Sequence, residues 1–273
     1  SPLIPWYYDP AKNFCGRTLV EVVDALKVTH QQQQPVQPPT EYLLRLPVSR
    51  CIKVQGIGTV AIGRVATGTL IDHGSKTLLF CNSGRRTGIQ SVETFWNPVK
   101  TANVGDRVGI HFPEPVSVTR RGDMIGYANG GWMSPKVCRR FLAQIVITAR
   151  VSQKGIRNGY TPTLHIHTAT VPCRFNTVIA THHRKSLKVI KSRPETVHRG
   201  HVCSVVMVPL KPVCVETAAE FGRLGRIVMR DCVGIVACGI VTKVQVVEEE
   251  PEPTTNSNQF SHNDDEEWAE VTR

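Results

Sequence analysis

Hydrophobic and polar residues follow a helical period only near the start of the chain. In residues 16–28, GRTLVEVVDALKV, the apolar positions recur at helical spacing, namely Leu19, Val22, Val23 and Leu26. Thr18 followed by Glu21 has the form of a capping box, in which two side chains satisfy unpaired N–H groups at a helix start. These features predict a helix over about residues 17–28.

From residue 41 onward the pattern changes to short runs rich in Val, Ile and Thr, separated by Gly and Pro. Examples are TVAIGRV, RVGIHF, AQIVITARV, PTLHIHTATV and VCSVVMV. Strands this short at near-regular intervals are typical of closed or sandwiched antiparallel sheets. We therefore predict an all-β fold for the main body of the chain.

Three changes of composition predict the domain limits. The segment THQQQQPVQPPT is rich in Gln and Pro and predicts a linker that ends near residue 40. The segment RRGDMIGYANGGWMSPKV interrupts the strands, so we place a boundary there and predict domains over 41–134 and 135–247. The acidic, polar residues 248–273 are too poor in apolar side chains to fold alone, and we expect a disordered tail.

The stretch GIGTVAIGRVATG, residues 56–68, carries glycines in the pattern of a dinucleotide-binding loop. Such a loop needs its glycines between a strand and a helix, with the phosphate on the N-terminus of that helix. Here Gly58 is followed by alternating, β-branched residues, which predict a strand. HGSKT, the nearest approach to a P-loop, lacks the required glycines. We predict no nucleotide site in these 273 residues.

The charge of the chain is divided unequally. The net charge is +11, but residues from Glu248 onward hold nine acidic side chains and one basic one. Residues 1–247 therefore carry 32 Lys and Arg against 13 Asp and Glu, a balance of +19. A body this basic favours a polyanionic partner, nucleic acid before membrane, over a basic surface with no partner. The absence of about 18 consecutive apolar residues predicts no membrane span.

Nine scattered cysteines, an odd number without any C-x-x-C pair, favour buried thiols in a reducing compartment. We expect a cytoplasmic protein. His165 and His167 alternate along one predicted strand and should face the same way, but two ligands are too few for zinc, and we predict no metal site. No arrangement of nucleophile and base or of paired carboxylates predicts a catalytic residue.

Several segments of the sequence, taken together and in this order, resemble eukaryotic elongation factor 1-alpha. They are LRLPVSRCIKVQGIGTVAIGRVATGTL (44–70), VGDRVGI (104–110), VTRRGDMIG (118–126), GYTPTLHIHTA (159–169), MVPLKPVCVE (207–216) and GRLGRIVMRD (222–231). The family's fold is a GTPase domain followed by two antiparallel β-barrels. The resemblance covers residues 1–247 and implies that 1–40 hold the end of the GTPase domain and the Gln- and Pro-rich linker, while 41–134 and 135–247 are the two barrels.

The resemblance implies a GTP-dependent factor that delivers aminoacyl-tRNA to the ribosomal A site, with a guanine nucleotide exchange factor as a further partner. GTP and Mg²⁺ are implied for an intact family member. The family's nucleotide-binding motifs are not found in this sequence, so the chain alone is not expected to be a GTPase. It would supply the tRNA-binding barrels.

The resemblance also implies site residues. In the family an apolar residue and a glutamate of the first barrel hold the 3′ adenosine of aminoacyl-tRNA, and the matching pocket positions here are Val54, Gly56, Val60, Glu93 and Ile110. An apolar wall stacks on adenine, and a carboxylate accepts hydrogen bonds from its ribose or base edge. Candidate contacts to the tRNA backbone are Arg45, Arg64, Arg120, Arg121 and Thr168.

The sequence departs from the family at charged surface positions. Arg50 replaces an acid, Ala66 removes a carboxylate, and Val233–Ile235 replace polar residues near the family's T-stem contact. Two alternatives therefore stay open beside tRNA delivery. One is a naturally GTPase-less module that binds protein or RNA, and the other is a relative of release and surveillance factors.

Overall fold

A computed structural model describes residues 7–9, 14–16, 18–25, 43–54, 58–72, 76–113, 120–148, 155–184, 186 and 188–246. The chain divides into two compact units, residues 1–36 and 37–273. The predicted linker and the predicted acidic tail both lie outside the described residues. Among the described residues, no helix has the length and apolar character needed to cross a bilayer.

The N-terminal unit contains a short antiparallel pair, β1 (Tyr7–Asp9) and β2 (Phe14–Gly16), and the helix α1 (Leu19–Ala25). The capping box is confirmed, because Glu21 N–H donates to Thr18 Oγ1 at 3.2 Å and Thr18 N–H donates to Glu21 Oε2 at 3.4 Å. Val22 is buried, but Leu19 is 66% exposed, so the predicted apolar face is wrong at Leu19. A unit this small has little surface with which to cover a complete apolar stripe.

The first half of the larger unit is an all-antiparallel sheet that curls around one apolar core. Its strands are β3 (Leu46–Val54), β4 (Gly58–Arg64), β5 (Leu70–Ile71), β6 (Leu78–Phe80), β7 (Arg85–Thr87), β8 (Ser91–Thr94), β9 (Asn97–Pro98), β10 (Thr101–Ala102), β11 (Arg107–Phe112) and β12 (Met124–Tyr127). Eight of them follow the order β7-β6-β12-β3-β4-β11-β8-β9, and β5 pairs with β10. Alternate residues point inward, so β11 buries Val108, Ile110 and Phe112.

The Gly-rich stretch joins two strands of this sheet. Val54, at the end of β3, pairs with Gly58, at the start of β4, and the two strands run antiparallel. Gly58 has a φ of +113°, a backbone conformation that residues other than glycine rarely adopt. Gly58 therefore begins a strand, as the sequence predicts.

The second half of the unit is a closed barrel. Its elements are β13 (Cys138–Ile147), β14 (Thr163–Ile166), β15 (Ala169–His182), β16 (Val189–Ser192), β17 (Val202–Pro209), α2 (Ala218–Phe221), β18 (Arg226–Asp231) and β19 (Gly234–Val246). Six strands close in the order β14-β18-β19-β13-β17-β15, and β15 pairs again with β14. The additional strand β16 pairs with β15. Two 3-10 helices, Ala128–Met133 and Gly222–Gly225, complete the described elements.

The strands confirm the predicted all-β fold, and they pack around two separate apolar cores. One is built from residues between 44 and 127, and the other from residues between 138 and 241. The boundary predicted between residues 134 and 135 stays a prediction. A smaller apolar cluster joins the two halves, with Cys81 and Met124 from the first packing against Cys214 and Leu224 from the second.

His167 lies in the turn after β14 and faces this junction. Its φ is +41° and β14 ends at Ile166, so the prediction that His165 and His167 share a strand face is wrong. The ring Nε2 is 3.0 Å from the carbonyl oxygen of Cys214. Nδ1 is buried and has no hydrogen-bond partner among the described residues. Burial lowers the pKa of His167 to about 4, although the Cys214 carbonyl acts in the opposite direction.

We expect acid to weaken the fold through His167. The unfolded chain takes up this proton near pH 6.5 and the folded chain only near pH 4, so the free energy of unfolding falls as pH drops through that window. The loss should reach about 2–3 kcal/mol. His167→Gln retains a donor for Cys214 and does not titrate. Urea unfolding of both proteins at pH 7 and pH 4.5 should show a steeper loss for the wild type, and parallel losses would contradict the assignment.

Candidate nucleic-acid interface

Strands β3, β4, β11 and β8 lie side by side, and their outer face carries a distinct set of side chains. Directly paired residues of an antiparallel sheet share a face, so the register defines rows across it. The first row runs across the four strands as Ile52, Val60, His111 and Ser91. The second row runs as Arg50, Ile62, Gly109 and Glu93. An aliphatic strip therefore crosses β3 and β4, with polar groups on either side of it.

Gly109 leaves a space in the second row. It stands between Ile62 and Glu93, and a Cβ added there would come 3.4 Å from Cγ1 of Val60. Any larger side chain would cover the aliphatic strip at this point. Because glycine has none, a flat apolar group can reach Val60 and Ile62 from the solvent side.

Glu93 stands at the open edge of this space. It is exposed and pairs with Gly109 on one side and with Pro98 on the other. Its neighbour Val92 is buried in the core, which fixes the strand and directs the carboxylate outward. The carboxylate can accept hydrogen bonds from hydroxyl or amino groups of a ligand that lies over the aliphatic strip.

Arginines flank the same face. Arg50, at the far end of the second row, is exposed. Arg64 and Arg107 are both exposed and stand directly opposite each other on β4 and β11. Like charges in directly opposed positions destabilise a sheet unless an anion lies between them. This pair therefore favours a phosphate-bearing partner.

The structure brings most of the predicted pocket residues to one face. Val54, Val60 and Glu93 lie on the outer face, and Gly56 falls outside the described residues. The prediction is wrong for Ile110, because its side chain is fully buried in the core. Ile110 alternates with Gly109 along β11 and supports the face from beneath.

Two of the predicted backbone contacts are also wrong. Arg45 is only 3% exposed, because its guanidinium forms an ion pair with Glu216 of the second half. The Thr168 hydroxyl oxygen is buried, in a turn whose backbone approaches Gly122, and so it cannot meet a phosphate. Arg64, Arg120 and Arg121 are exposed, and their contacts with tRNA stay predictions.

Residues that sequence reasoning missed include Gly109, Ile62 and Arg107. The alternation of residues in RVGIHF and TVAIGR indicates which of these side chains face outward. Which of them lie side by side follows only from the register between the strands. Of the departures, Ala66 packs into the cluster between the two halves. Val233 and Ile235 are exposed at the β18–β19 turn. No group of three or more metal-ligating side chains converges within the described part of the chain.

Comparisons with known proteins agree on one family. Residues 140–242 match the family described as GTP-eEF1A C-terminal domain-like. Elongation factor 1-alpha of Aureobasidium pullulans is 34% identical over 245 residues, which cover 88% of this chain and 50% of that protein. Elongation factor 1-alpha-A of Schizosaccharomyces pombe is 34% identical over 250 residues, covering 89% and 52% respectively. The chain thus spans about half the length of the curated relatives it matches.

Solved structures agree in fold. A crystal structure of Sup35 complexed with GMPPNP superposes with a TM-score of 0.68 at 22% identity, over 88% of this chain and 53% of the chain in that structure. Sup35 complexed with GDP gives a TM-score of 0.67 at 23% identity over the same shares. At this identity the likeness concerns the fold alone.

Proposed function

We propose, from the premise that this chain is a divergent relative of elongation factor 1-alpha, that the outer face of β3, β4, β11 and β8 binds the aminoacylated 3′ end of tRNA. The observation that carries the proposal is the space at Gly109, with an aliphatic floor on one side and Glu93 on the other. The terminal adenine would stack on Val60 and Ile62. Glu93 would accept a hydrogen bond from the ribose or from the base edge.

The arginines support the same proposal. Arg64 and Arg107 would hold a backbone phosphate between them, which relieves their mutual repulsion in the sheet. Arg50 stands where the family has an acidic residue, and it would add a third positive charge at the other end of the apolar floor. This departure therefore strengthens the attraction for a polyanion.

In a complete factor, the two barrels would take part in delivery of aminoacyl-tRNA to the ribosomal A site in the cytoplasm, with a guanine nucleotide exchange factor as a partner. The Gly-rich segment would not hold the phosphates of GTP, because Gly58 begins a strand that pairs antiparallel with β3, whereas such a phosphate is bound at the N-terminus of a helix; GTP and Mg²⁺ would bind elsewhere. Those ligands would belong to a GTPase domain, and the chain of 273 residues would not hydrolyse GTP alone.

Replacing Glu93 by glutamine should weaken binding of aminoacyl-tRNA about tenfold. A hydrogen bond to a charged group contributes about 1.5–3 kcal/mol, and the neutral amide retains only part of it. Fluorescence anisotropy with labelled aminoacyl-tRNA measures the change. Glu195→Gln, which neutralises an exposed carboxylate on the second barrel, is the matched control and should leave the affinity unaltered. Equal affinities for the two variants would contradict the role of Glu93.

A further inference from the structure

The outer face of the second barrel carries an apolar surface that the proposed tRNA site does not use. Cys238 of β19 pairs with Val146 of β13 on one side and with Val228 of β18 on the other. Ile240 lies two residues further along β19, and Ile235 lies just before a bulge. Both isoleucines are exposed, at 40% and 47%. We call Val146, Val228, Ile235, Cys238 and Ile240 the β19 patch.

Positive charge stands at both ends of the β19 patch. Arg226 is paired directly with Ile240, and Arg230 is paired directly with Ile235. Both arginines are exposed. Single exposed apolar residues are common, but a continuous row that joins three strands between two arginines is a candidate docking surface. Its occupant should combine a large apolar side chain with acidic neighbours.

The end of this chain has that chemistry. Residues 248–273 hold nine acidic side chains and one basic one, and their two aromatic residues are Phe260 and Trp268. Trp268 stands in the sequence DDEEWAE, so carboxylates flank it on both sides. An indole covers a patch of aliphatic side chains, while the flanking acids match the flanking arginines.

The tail is also long enough. It follows Val246, the last residue of β19, so it starts on the strand that carries the patch. Measured from Val246 at roughly 3.3 Å per residue, Ile240 lies about 20 Å back along β19 and Ile235 about 36 Å back. Phe260 lies fourteen positions after Val246, which allows a span of about 46 Å. Both aromatic residues can therefore return to the patch.

We propose that the acidic tail, residues 248–273, docks on the β19 patch of its own barrel, with Trp268 and Phe260 on the apolar row and acidic residues beside Arg226 and Arg230. Since the tail is tethered beside the patch, its effective concentration is in the millimolar range, and weak contacts suffice to keep the patch covered.

Cys238 provides a reporter within the patch. It is an exposed thiol in the centre of the row, and Cys232→Ser removes the other exposed thiol of the described residues. In this background, we compare the alkylation rate of Cys238 in the full chain with that in Phe260→Ser/Trp268→Ser. The substituted chain retains every charge, and its Cys238 should react about tenfold faster. A chain that ends at Val246 should react equally fast.

Several outcomes would overturn the proposal. Equal rates in the full chain and the doubly substituted chain mean that the tail does not cover the patch through its aromatic residues. Protection that appears only at high protein concentration assigns the patch to a second copy of the chain. Cys51, on β3 of the first half, is the internal control, and an equal rise in its rate would mean general loosening rather than uncovering of the β19 patch.

Discussion

Replacing Arg45 by methionine is expected to lower the free energy of unfolding by about 4 kcal/mol. Arg45 is 3% exposed, and its Nε lies 2.5 Å from Oε1 of Glu216, which is 13% exposed. Its Nη1 donates to the carbonyl of Met133 at 2.8 Å, and the guanidinium lies 4.8 Å from the centre of the Phe221 ring. Loss of the cation leaves the Glu216 carboxylate enclosed between the two halves without a cationic partner, which typically costs about 3–5 kcal/mol.

Two variants separate this effect from a general loss of charge. Arg64→Met removes an exposed arginine of β4 and should change stability by no more than about 0.5 kcal/mol. The double variant Arg45→Met/Glu216→Met removes the orphaned carboxylate and should recover part of the loss. Urea midpoints are measured for the wild type, for these three variants and for the single variant Glu216→Met. A double variant as unstable as the sum of its single changes would show that the two side chains do not act as a pair.

Replacing Gly239 by valine should cost about 4 kcal/mol, for a different reason. Gly239 lies within β19, where a Cβ would stand 2.1 Å from the carbonyl oxygen of Gln144 and 2.7 Å from Cα of Ile145. Both atoms belong to the backbone of β13, so the obstacle cannot rotate away. The barrel is closed, and separation of β13 from β19 would disturb the whole ring of strands.

Gly88→Val is the matched control for this prediction. Gly88 is exposed, and no heavy atom lies within 4 Å of a Cβ added there. Its substitution should shift stability by about 0.5 kcal/mol or less. Thermal unfolding of both variants followed by circular dichroism measures the difference. If Gly239→Val unfolds at the temperature of the control, the close approach of β13 and β19 is not a constraint on the fold.

The sequence predicts well those features that depend on near neighbours. Alternation of apolar and polar residues predicts the strands, and the Thr18–Glu21 capping box forms as expected because its partners are three residues apart. The same alternation correctly predicts that Ile110 points inward, together with Val108 and Phe112 of β11. The family resemblance placed Ile110 in the pocket against that local signal.

Features that depend on distant partners could not be predicted. From the sequence, Arg45 cannot be told apart from the surface cations of a basic chain. Its partner Glu216 is 171 residues away in sequence, and the pair is buried only in the folded chain. The Thr168 hydroxyl is buried in a turn whose backbone approaches Gly122 of the other half. The rows of the candidate site likewise depend on the register of four strands, which no single stretch of sequence specifies.

The most direct test of the central claim is the affinity of this chain for the same tRNA with and without its amino acid. A site at the 3′ end, built around Gly109 and Glu93, predicts that aminoacyl-tRNA binds about tenfold more tightly, and that Glu93→Gln reduces this preference. Equal affinity for the two tRNAs would mean that the arginines bind the nucleic acid backbone without a 3′-end pocket. Absence of tRNA binding would contradict the proposal outright and favour a module that binds protein.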